Sequence, residues 1–268
     1  MFDYLKPLKD DVLISVTSAY VIEVRDAAFA KHKRHFANYV LSVLRLLLKW
    51  AAVRDLVESN QAASVPKLRR PHSAPKANRA WDQDECDAVL DAATGGLKIG
   101  IALGMFAGMR VGDVIKAQRS IYDGSWLRWS QGKTGAVVEL PAHPVLKAIL
   151  DEKPEADGVT AVTLVVNSRG LPYTGNGFRT LFFRLLRALE GTGKVRPGLT
   201  FHGLRHTAGR ALADRGADPR TIAVLLGHKT LQMAAHYSDE ADRKKRAVAA
   251  VAKLRPRTKV SNARDKSV

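Results

Sequence analysis

Phe201-His202-Gly203-Leu204-Arg205-His206, followed by Leu225-Leu226-Gly227-His228 and then His236-Tyr237, gathers histidine, arginine and tyrosine into one short C-terminal stretch. Core packing does not call for this order. His202 and Arg205 stand three residues apart, which puts them on one face of a helix. They also lie at that helix's start, where free N–H groups and the helix dipole favour an anion. The pattern suggests a site that holds a phosphate and attacks it with a tyrosine.

The bulk composition agrees with an anionic partner. The chain has 268 residues, enough for one large or two modest domains, and 46% of them are hydrophobic. The formal net charge is +17. A surplus of that size points to a polyanion, with nucleic acid ahead of an anionic membrane surface. No apolar run reaches the roughly 18 residues of a spanning helix. The best candidate, around Val40–Trp50, is interrupted by Arg45 and Lys49. Asp3, Lys6, Lys9, Asp10 and Asp11 break up any signal-peptide core. Cys86 is the only cysteine, which excludes an intrachain disulfide and a cysteine metal cluster. A cytoplasmic, nucleoid-associated protein is expected.

Outward from the motif, the chain reads as mainly α with a small antiparallel β-sheet. Residues 1–64 form a helical module whose stripe of Val40, Val43, Leu44, Leu47 and Leu48 recurs at helical spacing and marks its core. Lys31, Lys33 and Arg34 give that module a basic surface. Residues 65–80 carry Pro66, Pro71 and Pro75 among Lys67, Arg69, Arg70, Lys76 and Arg79. Proline prevents a continuous helix there, so the stretch reads as a basic linker. Residues 81–254 form a second domain. Asp82 and Glu85 form a capping box that opens its first helix. A helix over about Leu97–Ala107 ends at Gly108, and Arg110 sits just beyond. Trp126–Ser130 and Ala136–Leu140 alternate as a hairpin around the turn Gln131-Gly132-Lys133-Thr134-Gly135. Thr163–Val166 is a third strand candidate, and Phe178–Leu189 is an amphipathic helix. From Phe201 to about Lys253 the chain is helical, with breaks at Gly216–Pro219 and Gly227. Residues 255–268 read as a basic, disordered tail.

Phosphoryl chemistry gives these residues roles. A guanidinium stays charged and donates paired hydrogen bonds to phosphate oxygens, so Arg110 and Arg205 form a candidate clamp. Asp113, three residues after Arg110, is placed to orient it. A tyrosine hydroxyl has a pKa near 10 and needs help to attack at neutral pH. Nearby guanidinium groups stabilise its phenolate, and His202 is positioned to accept its proton. Lys133, at a hairpin tip, can protonate a leaving oxygen. His206 reads as a structural neighbour of the site.

Gly108-Met109-Arg110, Gly132-Lys133-Thr134, His202-Gly203-Leu204-Arg205-His206, Leu226-Gly227-His228 and His236-Tyr237 together resemble the tyrosine recombinases, or phage integrase family. The order Arg, Lys, His-x-x-Arg, His, Tyr matches across roughly residues 80–253. The resemblance implies a helical core-binding domain and a catalytic domain that clamp a DNA duplex. It implies that Tyr237 attacks the scissile phosphate, leaving a 3′-phosphotyrosyl link and a free 5′-hydroxyl. Arg110, Arg205 and His228 would hold the non-bridging oxygens, Lys133 would serve as general acid, and His202 would assist proton transfer. Transesterification conserves the phosphodiester bond, so neither ATP, another cofactor nor a metal is expected. The partners implied are double-stranded DNA, three further copies of the chain in a tetramer formed by C-terminal segment exchange, and accessory DNA-bending proteins. Lys31, Lys33, Arg34, Arg69, Arg70 and Arg79 are candidate backbone contacts, each with a solvated surface role as the alternative. The segment before the linker is shorter than the family's usual helical domain, as in a compact or N-terminally incomplete member. The competing functions are a type IB topoisomerase-like enzyme and a catalytically silent DNA-binding relative. The complete residue set argues against the second.

Overall fold

The structure is a computed structural model, and it describes residues 2–5, 15–71, 73, 78–152 and 162–252. The chain divides into two compact units, residues 1–75 and 76–268. The tail expected over residues 255–268 lies outside the described residues.

The first unit contains α1 (Phe2–Leu5) and the long α2 (Ser18–Ala52). Thr17 caps α2 by accepting from the Tyr20 N–H at 3.2 Å. The helix breaks at Lys33, whose φ of 63° and ψ of −179° lie outside the helical region. Non-glycine residues rarely adopt this conformation, and here it splits α2 into two segments. Val40, Leu41, Leu44 and Leu48 are buried with Val21, Ala28 and Ala37, as the sequence stripe required, whereas Leu47 is exposed. Ala62 and Val65 join the same cluster, and Leu68 packs against it. This unit therefore continues past residue 64, into the stretch read as linker. Arginine and asparagine side chains of α2 hold that stretch. Arg45 donates to the carbonyls of Ala62 and Val65, Arg25 donates to Pro66 O at 2.8 Å, and Asn38 both donates to and accepts from the Leu68 backbone. Arg45, whose charge interrupts the apolar run in sequence, is thus a backbone clamp.

The second unit is built around α3 (Gln83–Ala92), α4 (Gly95–Phe106), α5 (Val111–Val114), a hairpin of β1 (Trp126–Ser130) and β2 (Val137–Pro141), α6 (Pro144–Asp151), α7 (Gly175–Gly191), α8 (Phe201–Asp214), α9 (Pro219–Leu226) and α10 (Leu231–Ala252). The hairpin pairs Leu127 with Leu140 and Trp129 with Val138, and these four point into the core. Their alternation with exposed residues is the period-2 pattern of a half-buried sheet. The third strand expected over Thr163–Val166 does not form. Thr163 and Val166 make only isolated bridges, to Gln118 and Pro172. The run is too short, and its neighbours too irregular, to extend a ladder. Phe201 packs edge to face against both Phe178 and Phe182, with ring centroids 5.6 and 5.5 Å away. They join α7 to the first turn of α8, and burying each ring stabilises the fold by about 1.5–3 kcal/mol.

The segment leading into α3 is fastened to α8. Trp81 N–H donates to Thr207 Oγ1 at 2.7 Å and its indole N–H to Thr200 O at 3.1 Å. Glu85 accepts from Asp82 N–H in the capping arrangement and is gripped by Arg79 through two bonds of 2.6 and 2.7 Å. Burial alone would raise the Glu85 carboxyl, but these bonds and that from Arg196 N–H hold it down at about 2. Arg79, a candidate DNA contact on sequence, is thereby committed to a structural ion pair. Of the other candidates, Lys31, Lys33, Arg69 and Arg70 have exposed side chains and Arg34 a partly exposed one.

Candidate active site

Four backbone features bring the singled-out residues together. First, Thr200 caps α8 by accepting from Gly203 N–H at 3.1 Å. This fixes the helix start from which His202, Arg205 and His206 project. Second, Gly108, at φ +61°, ends α4, so that buried Met109 anchors the turn and Arg110 caps α5. Third, the hairpin turn after β1 is closed by Gln131 N–H to Ala136 O at 2.9 Å, which sets Lys133 at its tip.

The fourth is the end of α9. Gly227 is left-handed (φ 57°, ψ 48°), its N–H donates to Val224 O at 3.1 Å, and His228 N–H donates to Ala223 O at 2.9 Å. This is a Schellman cap, and it explains the Leu-Gly-His spacing. Glycine supplies the conformation and the cap delivers His228 in a fixed direction. A Cβ at Gly227 would also overlap the Gln131 side-chain amide.

Arg205 is 3% exposed. Its guanidinium donates to Gly108 O at 2.7 Å and to Leu226 O, so it ties the turn carrying Arg110 to the cap carrying His228. Burial, followed by the charge of Arg110, pulls its pKa down to about 10, still well above neutrality. A guanidinium has five N–H donors, so these two bonds leave others for a ligand.

Arg110 is held by Gln131 rather than by Asp113. Its guanidinium donates to Gln131 Oε1, while Asp113 Oδ1 accepts from Gly132 N–H at 2.9 Å and joins α5 to the hairpin turn. Asp113 is not paired with Arg110 among the described hydrogen bonds and ion pairs. Gln131 is 1% exposed. Its Oε1 also accepts from Thr134 Oγ1 at 3.0 Å, and its Nε2 donates to Leu226 O at 2.7 Å. One buried amide thus touches Arg110, the Lys133 turn and the Gly227 cap. Arg110, Lys133 and His202 line an open cleft of about 460 Å³ together with Asp113, Lys116 and Phe201.

Tyr237 lies on α10 and is 9% exposed. Its ring rests on Gly209 of α8, where a Cβ would come within 2.8 Å of it. The His228 ring runs parallel to it at 6.2 Å between centroids. The Tyr237 hydroxyl is 3.0 Å from His206 Nδ1. Burial raises the tyrosine pKa and the Arg205 charge opposes that rise. His202, expected to take the tyrosine proton, stands one turn before His206, with ring centroids 5.0 Å apart and planes at 86°.

Both His202 and His228 are held neutral. Partial removal from water, and then the positive charge around them, lower each to about 4. For His202 those charges include His206, Arg205, Arg110 and Lys133; for His228, Arg205 and Arg110 lead. Much of the His202 side chain still reaches solvent. The site therefore offers cations for an anion's charge, neutral imidazoles as hydrogen-bonding groups, and a phenol.

Sequence reasoning missed Gln131 and Gly209 and underrated His206. Gln131 and Leu226 lie 95 residues apart, so no local pattern links them. The only sequence signal for His206 was its adjacency to Arg205.

Comparison with known proteins gives a consistent result. The sequence profile of the phage integrase family matches residues 72–244. The tyrosine recombinase XerC of Bacillus pumilus is 28% identical over 251 residues, 88% of this chain and 80% of that protein. XerC of a Mycobacterium species (strain KMS) is 30% identical over 216 residues, 74% of this chain and 69% of that protein. The integrase of Escherichia phage lambda is 25% identical over 246 residues, 88% and 67% of the two chains. Among solved structures, a lambda integrase dimer bound to a COC′ core site superposes with a TM-score of 0.71 at 22% identity, covering 90% of this chain and 71% of that one. The Tn1549 transposon integrase in complex with a circular intermediate DNA does so at 0.70 and 17% identity, covering 91% of each. These superpositions establish a shared fold.

Proposed function

The chain belongs to the phage integrase family, and from that premise we propose that its site cuts and rejoins DNA through Tyr237. The protein is a site-specific tyrosine recombinase, and double-stranded DNA is its substrate. The observation that supports the residue assignment is a cleft lined by Arg110, Lys133 and His202 in the same unit as a buried Tyr237 that has the His228 ring alongside it and feels the Arg205 charge.

In this reading the scissile phosphate sits where the cleft meets the Tyr237 hydroxyl. Arg110 and the remaining Arg205 donors neutralise the non-bridging oxygens, and His228 donates a further hydrogen bond. Tyr237 Oη attacks phosphorus and the bond to the 5′-oxygen breaks. Lys133 protonates that oxygen, and its position on a turn lets it follow the leaving group. His202, held neutral, accepts or relays a proton at the cleft. A 5′-hydroxyl from a second strand then reverses the chemistry and releases the tyrosine. The DNA-bound state is a tetramer, consistent with a solved lambda integrase tetramer on a Holliday junction, and the end of α10 over residues 241–252, with the residues after it, is the segment exchanged between copies. The exposed Lys31, Lys33, Arg69 and Arg70 contact DNA phosphates, accessory DNA-bending proteins shape the longer site, and the enzyme works in the cytoplasm at the nucleoid.

The test is a nicked suicide duplex drawn from the DNA flanking the chain's own gene. Wild type forms a covalent protein–DNA adduct and Tyr237→Phe forms none. A Tyr237→Phe adduct equal to wild type would remove the assignment.

A further inference from the structure

The tyrosine proton needs a destination, and the only described imidazole within hydrogen-bonding distance of it is one that the assignment above leaves unused. His206 Nδ1 is 3.0 Å from Tyr237 Oη. Arg110, Arg205 and Lys133 act as hydrogen-bond donors rather than acceptors. His202 lines the cleft rather than bonding to the phenol. The His228 ring runs alongside the phenol ring, 6.2 Å away.

We propose that His206 is a catalytic residue, the general base that takes the Tyr237 proton during cleavage and returns it during resealing. As Oη bonds to phosphorus, the Oη–H bond breaks and the proton moves to the Nδ1 lone pair. The phosphorus–O5′ bond breaks with its electron pair on O5′, which takes a proton from Lys133 Nζ. Each enzyme group has then exchanged one proton. In the return step the attacking 5′-hydroxyl gives its proton to Lys133, and the departing Tyr237 oxygen recovers its own from His206. The cycle closes without an external acid or base.

The surroundings hold His206 in place for this. It shares α8 with Arg205, His202 and Gly209, its ring lies 5.7 Å from that of Tyr237, and its charge bears on both His202 and His228. Gly209 lets the α10 tyrosine approach α8 closely enough for the 3.0 Å contact. The geometry also explains why a buried phenol, raised by burial, can still react: transfer to a base in contact with it removes the need for a free phenolate.

The inference rests on Tyr237 as nucleophile, and the experiment separates the two. Single-turnover adduct formation on the suicide duplex is measured from pH 6 to 9.5 for wild type, Tyr237→Phe, His206→Asn and His206→Ala. Asparagine places an oxygen near the Nδ1 position and accepts the hydrogen bond but not the proton. His206→Asn is expected to bind DNA as wild type does and to cleave about 100-fold more slowly at pH 7. Its rate should climb with pH, so that the deficit shrinks as the phenol ionises unaided. Imidazole added to His206→Ala should restore part of the rate. A His206→Asn rate within about threefold of wild type at pH 7, the same deficit at every pH, or no imidazole response in His206→Ala each overturns the proposal. A wild type that forms no adduct takes down both readings, whereas a fast His206→Asn with an inactive Tyr237→Phe takes down this one alone.

Discussion

Replacing Arg205 with alanine should cost stability as well as activity, and the structure gives the size. Two charge-assisted bonds disappear, to Gly108 O and Leu226 O. Bonds of that kind contribute about 1.5–3 kcal/mol each. The Leu226 carbonyl keeps its bond from Gln131 Nε2 at 2.7 Å, so the heavier loss is at Gly108. Against this, burial and Arg110 lower the Arg205 pKa from its ordinary guanidinium value to about 10, which means the folded state holds the charge at a cost of about 3 kcal/mol. At the middle of that range the two bonds contribute about 4.5 kcal/mol, so the net loss is about 1.5 kcal/mol. For a unit of this size each kcal/mol moves the midpoint by about 2–4 °C, so Arg205→Ala should melt roughly 3–6 °C below wild type. Arg205→Lys can reach one carbonyl but not both, and should fall between them. The assay is thermal unfolding of the full chain followed by circular dichroism, with adduct formation measured on the same preparations. An Arg205→Ala midpoint within about 1 °C of wild type would show that these buried bridges contribute nothing. Adduct formation at the wild-type rate would refute the clamp.

Gln131→Met keeps the side-chain volume but removes the amide that holds Arg110, Thr134 and Leu226 O; adduct formation should fall by about 10- to 100-fold with DNA binding retained, and an unchanged rate would show that Arg110 needs no such support. Gly209→Ala places a Cβ 2.8 Å from the Tyr237 ring, so a loss of about 1–3 kcal/mol and a displaced tyrosine are expected, measured by chemical unfolding and by adduct yield. His228, lowered to about 4 from an ordinary 6.5, leaves the unfolded chain binding more protons between those values. Stability is therefore complete above about pH 6.5 and, because solvent screens the partly exposed ring, declines by about 1–2 kcal/mol as the pH falls to about 4, with a smaller share from the more exposed His202; His228→Asn should flatten unfolding curves across that window. Lys31→Ala and Lys33→Ala should each reduce the slope of log affinity against log salt by about 1 without changing site preference, read by fluorescence anisotropy on matched and scrambled duplexes.

Much of this molecule is legible in its sequence because its elements announce themselves locally. Asp82 and Glu85 open α3 as a capping box, and the alternation of Leu127 and Trp129 with exposed neighbours marks β1. The Leu-Gly-His stretch ends α9 because glycine alone adopts the cap conformation without strain. What local pattern misses is the side chain whose partners lie far along the chain. Asp113 looked like the residue to orient Arg110 because it is three positions away, yet its oxygen serves the Gly132 backbone and Gln131 takes the guanidinium. Thr163–Val166 has strand composition but no partner strand of matching length. The boundary at residue 64 follows prolines, whereas the unit itself is held together by Arg25, Asn38 and Arg45 bonding to backbone carbonyls beyond it.

The same long-range contacts make the site depend on the fold being complete. Leu226 O receives both Arg205 and Gln131, and those two side chains reach Gly108 and Arg110. A single carbonyl at the end of α9 therefore lies between the anion clamp and the cap that presents His228. Cations packed this closely would repel one another if the histidines were charged too, and their pKa values near 4 show how the site avoids it. Neutral imidazoles limit the positive charge gathered around Arg110 and Arg205, and a bound phosphate would bring negative charge to them. Phosphate binding should then raise the proton affinity of both histidines, so DNA binding near pH 5 should be accompanied by proton uptake. Calorimetric titration in buffers of different ionisation enthalpy measures that uptake directly. Binding heats independent of the buffer would mean that the histidines are neutral for reasons of burial alone.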